Sequence, residues 1–133
     1  MNFDITHEGR TTLAVDREGA LALGYPEAAI AAAENDQLVL AIKAECRRRI
    51  YAVASPETQM NMATAGAFAS SKTASTRTAD ENAILSGLDA SLAWVAQMRG
   101  NVQTLAADPS LDYHDDANWP VCPDAAVALA AKF

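Results

Sequence analysis

The stretch TADENAILSGLDASLAWVAQMRGNVQTLAA, residues 78–107, decides the fold class. It opens on Thr78-Ala79-Asp80-Glu81, the pattern of a capping box, in which a hydroxyl accepts from the backbone N–H three residues on and a Glu occupies that third position. Asp80 and Glu81 also place negative charge at the positive end of a helix dipole, so helix initiation accounts for this acidic pair without acid–base chemistry. Ile84, Leu88, Leu92, Val95, Met98, Val102 and Leu105 then recur at three- and four-residue steps, which predicts one amphipathic helix over 79–107. Trp94 falls off that stripe. Asp108-Pro109 closes the helix, because proline lacks the N–H that would continue it.

Upstream, Val39, Ile42, Cys46, Ile50 and Val53 repeat the same spacing and predict a second long helix over 36–54. Glu45 and Arg49 stand at i,i+4 for an ion pair along it. Pro26 suits the first turn of a shorter helix over 26–34, with Asn35-Asp36 as a kink or new cap. Ser55-Pro56-Glu57 restarts a helix, with Ser55 capping and Pro56 first. It carries Met60, Met62, Ala67 and Phe68, and gives way to a polar loop over 70–76. A last short helix is predicted over 123–131, rich in Ala with Val127 and Leu129.

Residues 2–23 read differently. Phe3-Asp4-Ile5-Thr6 alternates, His7-Glu8-Gly9-Arg10 is a turn, and Thr11–Val15 alternates again with Leu13 and Val15 on one face. Asp16–Gly19 reads as a second turn and Ala20–Leu23 as a short third strand. So small a meander needs a helix or another chain to lie on. The fold class expected is mainly α with a small N-terminal β-hairpin or meander (α+β), built around a long antiparallel pair, 36–54 and 79–107. One domain is expected, with a β-hairpin region over 1–24, a helical region over 25–107 and an irregular tail with a short helix over 108–133.

Composition limits what this chain does. The formal net charge of −7 opposes a nucleic-acid partner, which is held by clustered Lys and Arg. The one basic run, Arg47-Arg48-Arg49, spreads around a helical turn and reads as a solvated or salt-bridged face. No apolar segment approaches the roughly 18 residues of a membrane span, and no basic-then-apolar leader pattern opens the chain. Leu, Ile, Val and Phe together number only 26 of 133 residues, while Ala alone numbers 30. Large aliphatic side chains each return about 1.5–3 kcal/mol on burial, against about 1–2 kcal/mol per residue of backbone ordering. A thin core is therefore expected, with further burial against a partner or against copies of the chain in a homo-oligomer.

Candidate chemistry is sparse. Asp112, His114, Asp115 and Asp116 are the densest group of possible ligands, yet they lack the order, glycine and closing Glu of an EF-hand, and read first as a solvated acidic loop. Cys46 and Cys122 stand in no metal-ligand spacing, and a disulfide between them is left open. Cys46 lies on the apolar stripe as a buried thiol. Pairing of either cysteine with His7 or His114 for nucleophilic work has no local motif behind it. Neither a nucleophile elbow nor a phosphate-binding or dinucleotide loop occurs. No catalytic residue, cofactor or metal is expected.

What remains are contact residues. Tyr51, Trp94 and Trp119 are large and amphipathic, the kind that anchors interfaces. Trp119 either pins the C-terminal loop onto the helices or meets another subunit. Met60, Met62 and Met98 read as core filler. Phe3, Ile5, Leu13 and Val15 lie on strands whose edge can pair with a neighbour's sheet.

Three segments carry a resemblance. Ile42-Lys43-Ala44-Glu45-Cys46-Arg47-Arg48-Arg49-Ile50-Tyr51 is followed by Gln59-Met60-Asn61-Met62-Ala63. Ala93-Trp94-Val95-Ala96-Gln97-Met98-Arg99 is followed in turn by Asp115-Asp116-Ala117-Asn118-Trp119-Pro120. With Leu21-Ala22-Leu23-Gly24-Tyr25-Pro26-Glu27, this order resembles small tail-fibre-associated proteins of alphaproteobacterial (Rhodobacter-like) phages and prophages, over about residues 20–123. The polar loop at 70–78 is longer than in that pattern, and Cys46 stands where a small residue is usual. The resemblance implies a non-enzymatic virion protein of a tail tip, fibre or baseplate, made in the bacterial cytoplasm. Its partners would be other tail proteins or the tail-fibre protein, without nucleic acid or membrane. The alternative it implies is a tail-fibre assembly chaperone not retained in the virion, suited by the acidic surface. A small metal-dependent enzyme built on the His114 loop is the third reading.

Overall fold

The computed structural model describes residues 1–133, in the order β1 (Phe3–His7), β2 (Arg10–Val15), α1 (Arg17–Ala22), α2 (Glu27–Val53), α3 (Pro56–Ser70), α4 (Ala79–Ala107) and α5 (Asp124–Ala130). Short 3-10 turns cover Ala74–Thr76 and Asp116–Asn118. The α+β class, mostly helical with one N-terminal hairpin, is as expected. The chain divides into two compact units, Met1–Ala44 and Glu45–Phe133, with the boundary inside α2.

In the first unit, β1 and β2 pair antiparallel through the two-residue turn Glu8-Gly9. Both turn residues have positive φ, 51° and 79°, the handedness that matches strand twist in tight hairpins. Phe3 pairs with Val15 but Ile5 with Thr12, so β2 carries one extra residue, a β-bulge. Ala14 takes φ 51° there, and its N–H donates to Asp4 Oδ1 at 2.8 Å. The bulge corrects the expected alternation: Val15 packs on the core, while Leu13 is turned out at 70 % exposure.

The expected third strand at 20–23 is instead α1. Asp16 caps it by accepting from the Gly19 N–H at 2.8 Å, so the turn signal at 16–19 was a helix start. Gly24, at φ 84°, ends it: the Gly24 N–H donates to Leu21 O and the Tyr25 N–H to Ala20 O, a Schellman closure. The hairpin lies on helices, as it had to. Phe3, Ile5, Ala20, Tyr25, Ile30 and Ala33 form one buried cluster. The Tyr25 hydroxyl reaches Thr12 Oγ1 at 2.8 Å, and the Arg10 guanidinium covers its ring.

α2 runs unbroken through Asn35-Asp36, nine residues further toward the N-terminus than expected. Each residue costs a helix only about 0.7 kcal/mol against Ala, and neither removes a backbone hydrogen bond as proline does. Both are exposed, and Ala and Leu on either side carry the helix through.

In the second unit, Ser55 and Thr78 cap α3 and α4 as predicted, accepting from the Thr58 and Glu81 N–H groups at 3.1 and 3.2 Å. α4 packs most closely against α3 and α5. The expected pairing of 36–54 with 79–107 is therefore not the centre of this unit: of that helix only the last turns, from Glu45, belong to it, and they meet α4 across shared depressions, Arg49 and Ala52 with Trp94 and Met98, and Val53 and Ala54 with Leu88 and Ser91. Six of the seven expected stripe positions on α4 are buried or half-buried, Val102 among them, and the buried side extends beyond the stripe. Trp94 is buried at 5 % exposure and Leu92 stands out at 68 %. Gly87 and Ser91 join Trp94 on that side, so a glycine and a serine occupy positions that a hydrophobic count passes over. Met62 and Met98 are core, as expected, but Met60 is 69 % exposed. No helix is long and apolar enough to cross a membrane.

Two substitutions test this packing. A Cβ at Gly87 would stand 2.9 Å from Leu129 Cβ and 3.2 Å from the Ala125 carbonyl, atoms that move only if α5 moves. Gly87→Ala should lower unfolding free energy by about 1–3 kcal/mol in urea titration, despite a helix-propensity gain of about 1 kcal/mol. Ala14→Gly, which relieves a left-handed alanine, should be neutral or stabilising by about 1 kcal/mol.

Candidate functional site

The seven residues singled out as contact candidates separate into three places. Phe3, Ile5 and Val15 belong to the first unit's core. Trp94 and Trp119 are buried in the second unit. Leu13 and Tyr51 alone remain on the surface. The structure does not gather the seven into one patch, and for five of them the apolar surface is already used within the fold.

The second unit does bring together a different set. The segment from Asp108 to Pro123 crosses the helices as a strap, held by polar side chains that each find a backbone partner. Trp119 Nε1 donates to Tyr113 O at 2.7 Å, Asn118 Nδ2 to Asp112 O at 2.8 Å, and Asn101 Nδ2 of α4 to Asn118 O at 2.7 Å. Trp94 Nε1 of α4 donates to Pro120 O at 3.0 Å. An indole N–H needs such an acceptor when buried, and the strap carbonyls provide one for each tryptophan. The Trp119 bond closes the strap on itself, while its ring lies buried beside Arg49, Trp94 and Met98.

Arg49 joins strap to helix. Its Nη1 donates to Asp116 Oδ1 at 2.6 Å and its Nη2 to His114 O at 2.9 Å, while the guanidinium lies 5.3 Å from the Trp119 ring centroid. Behind it Glu45, buried in the expected i,i+4 relation, has Oε1 2.7 Å from Arg49 Nε, an ion-pair contact off hydrogen-bond angle. Glu45 takes its well-formed hydrogen bonds from Arg48, whose Nε and Nη2 donate at 2.7 Å to the two carboxylate oxygens. Those bonds are the main reason its pKa falls below the ordinary glutamate range; burial opposes them, and the charges of Arg48 and Arg49 add to them. The basic run is thus a salt-bridged face in Arg48 and Arg49, and a solvated one in Arg47. Sequence reading found the Glu45–Arg49 spacing but not the link to Asp116, which spans 67 residues.

The acidic loop spends its carboxylates locally. Asp112 Oδ1 accepts from the His114 N–H at 2.8 Å and Asp115 Oδ1 from the Ala117 N–H at 2.9 Å, while Asp116 turns to Arg49. No three acidic, His or Cys side chains converge to hold a metal ion. Cys46 and Cys122 are free thiols. Burial raises the pKa of each, which keeps it protonated and a poor nucleophile.

Arg49→Leu should cost about 2–3 kcal/mol by urea unfolding, the scale of hydrogen bonds to charged groups, and Arg49→Lys should recover only part of it. Tryptophan fluorescence reports the loss, since Trp94 and Trp119 both lie in the second unit. The pH dependence has a definite sign. A carboxylate with a depressed folded pKa contributes stability that is complete above its unfolded value, about 4.3, and is lost as pH falls through the folded value. Glu45→Gln should therefore flatten the decline in stability below about pH 4.3 relative to the natural chain.

No family model matches this chain, and no curated protein is similar to it.

Proposed function

We propose that the chain is a non-enzymatic structural component of a phage or phage-like particle, placed in the tail tip, fibre or baseplate region and acting through protein contacts. The observation that carries this reading is the outward side of α3. Met60 and Phe68, on that side, are 69 % and 64 % exposed, while Met62, Gly66 and Ala69 point inward. Single exposed apolar residues are ordinary on protein surfaces; two large ones on the outward side of one helix, about 80° apart around its axis, offer a partner two anchor points. Leu13 on β2 and Leu92 on α4 add further apolar surface.

The resemblance to tail-fibre-associated proteins supplies the setting. Its segments 42–51, 93–99 and 115–120 contribute Arg48, Arg49, Trp94, Met98, Asp116 and Trp119 to the walls of a single depression in the second unit. Residues far apart in the chain thus build one feature, which favours a shared structural role for the segments that carry the likeness. The polar groups there hold the strap, in keeping with a scaffold rather than a reaction centre.

Peptide mass spectrometry of purified particles from the encoding strain tests the reading. The expected result is a fixed ratio of a few copies per particle. Absence from particles, with recovery of the chain on overexpressed fibre protein, would replace it with the assembly-chaperone reading. The double substitution of Met60 and Phe68 by Ser should change stability by no more than about 0.5 kcal/mol per site while abolishing incorporation.

A further inference from the structure

A cavity of about 240 Å³ lies inside the second unit, between the end of α2, α3, the middle of α4 and α5. Its large walls are Ile50, Val53, Met62, Leu88, Trp94 and Val95. The space exists because most of the remaining wall positions after α2 and on α3 and α5 are alanines, among them Ala54, Ala63 and Ala126. The recess opens to solvent past Leu92, and an apolar-walled recess of this size is where an apolar molecule gains by leaving water.

The lining says what kind. No charged residue faces the cavity, and its two polar side chains, Gln59 and Ser91, each donate to a backbone carbonyl. Gln59 Nε2 donates to Ala54 O at 2.8 Å, and Ser91 Oγ donates to Gly87 O of its own helix at 2.7 Å. A water cluster or a charged ligand would find too few partners there, and a buried polar group without partners is costly. An apolar cavity of about 150 Å³ is enough to stay dry and take up benzene.

We propose that this cavity is a binding site for a small, uncharged, apolar molecule of one-ring size, an alkylbenzene or a compact branched hydrocarbon. About 240 Å³ of space with almost wholly apolar walls suits a guest of one ring, which gains by leaving water and needs no polar partner there. The ring of Trp94 and the Met62 thioether give an aromatic guest edge and sulfur contacts in addition to apolar burial. This site is independent of the exposed side of α3.

Toluene and benzoate, tested on the full chain, decide the matter. Toluene is expected to shift the methyl resonances of Ile50, Val53, Leu88 and Val95 and to raise Tm. Benzoate, the same ring with a charge, should do neither. Ser91→Leu puts methyl groups into the space and removes only a hydroxyl bonded to its own helix. It should weaken toluene binding by about tenfold or more while leaving the Tm of the unliganded chain equal or higher. If that variant fails to fold, the toluene and benzoate comparison on the natural chain stands alone. The site is overturned if toluene shifts no cavity methyl up to its solubility limit, or if benzoate binds as well. It is also overturned if the shifts fall on Met60 and Phe68 instead, or if only a tryptophan-bearing peptide binds and toluene does not.

Discussion

Close approach of helices at positions without side chains is the constraint on which the second unit depends. Gly87 leaves room for Leu129 and the Ala125 carbonyl of α5, and Gly66 leaves room for the tip of Leu88. A chain with so few large aliphatic residues gains little from burying any one side chain. It gains instead by bringing backbones near one another, where small residues let many weak dispersion contacts form. The same economy leaves space wherever three helices meet at alanines, and the apolar cavity lies there. Tight contact at Gly87 and loose packing four residues on, at Ser91, are two results of one composition.

Where apolar burial is thin, polar contacts set position. The strap from Asp108 to Pro123 has little regular structure, yet its carbonyls receive Trp94, Trp119, Asn101 and Arg49. A surface ion pair such as Arg49–Asp116 contributes little by itself, because Asp116 is well hydrated. Its effect comes from sharing one guanidinium with the His114 carbonyl, the Trp119 ring and the buried Glu45. A planar group that donates to Asp116 and the His114 carbonyl while lying against the Trp119 ring and the Glu45 charge defines one seat for the strap, which a flexible ammonium would not. The first unit uses a parallel device on a smaller scale, with the Tyr25 hydroxyl and ring tying β2 to the start of α2.

Local signals in the chain were legible where one residue's chemistry settles the outcome. Ser55, Pro56 and Thr78 mark helix starts because a hydroxyl can cap and proline can stand only near a helix beginning. Glu45 and Arg49 meet because four residues make about one turn. The hairpin turn at Glu8-Gly9 was readable for a similar reason. Reading went astray where two local meanings compete. Asp16 followed by Gly19 signals a turn or a capped helix, and burial of Ala20 against Phe3 and Ile5 selects the helix. Asn35-Asp36 can end a helix but need not, and nothing in the pair forces an end.

Spacing and composition suffice for the class of the fold, the long helix over 79–107 and most of its buried stripe, the caps, the acidic surface and the shortage of large core residues, because none of these needs a partner across space. Contacts across the fold put Trp94 inside and Leu92 outside on α4, turn Leu13 and Met60 to water, and bring Arg49 to Asp116. Each of those depends on a neighbour distant in the chain. The bulge at Ala14 reverses the facing of Leu13, α5 claims the side of Gly87, and the strap supplies the carbonyl that draws Trp94 to the buried side. Periodicity fixes how residues are spaced around a helix, but only the surface packed against it picks the side that is buried.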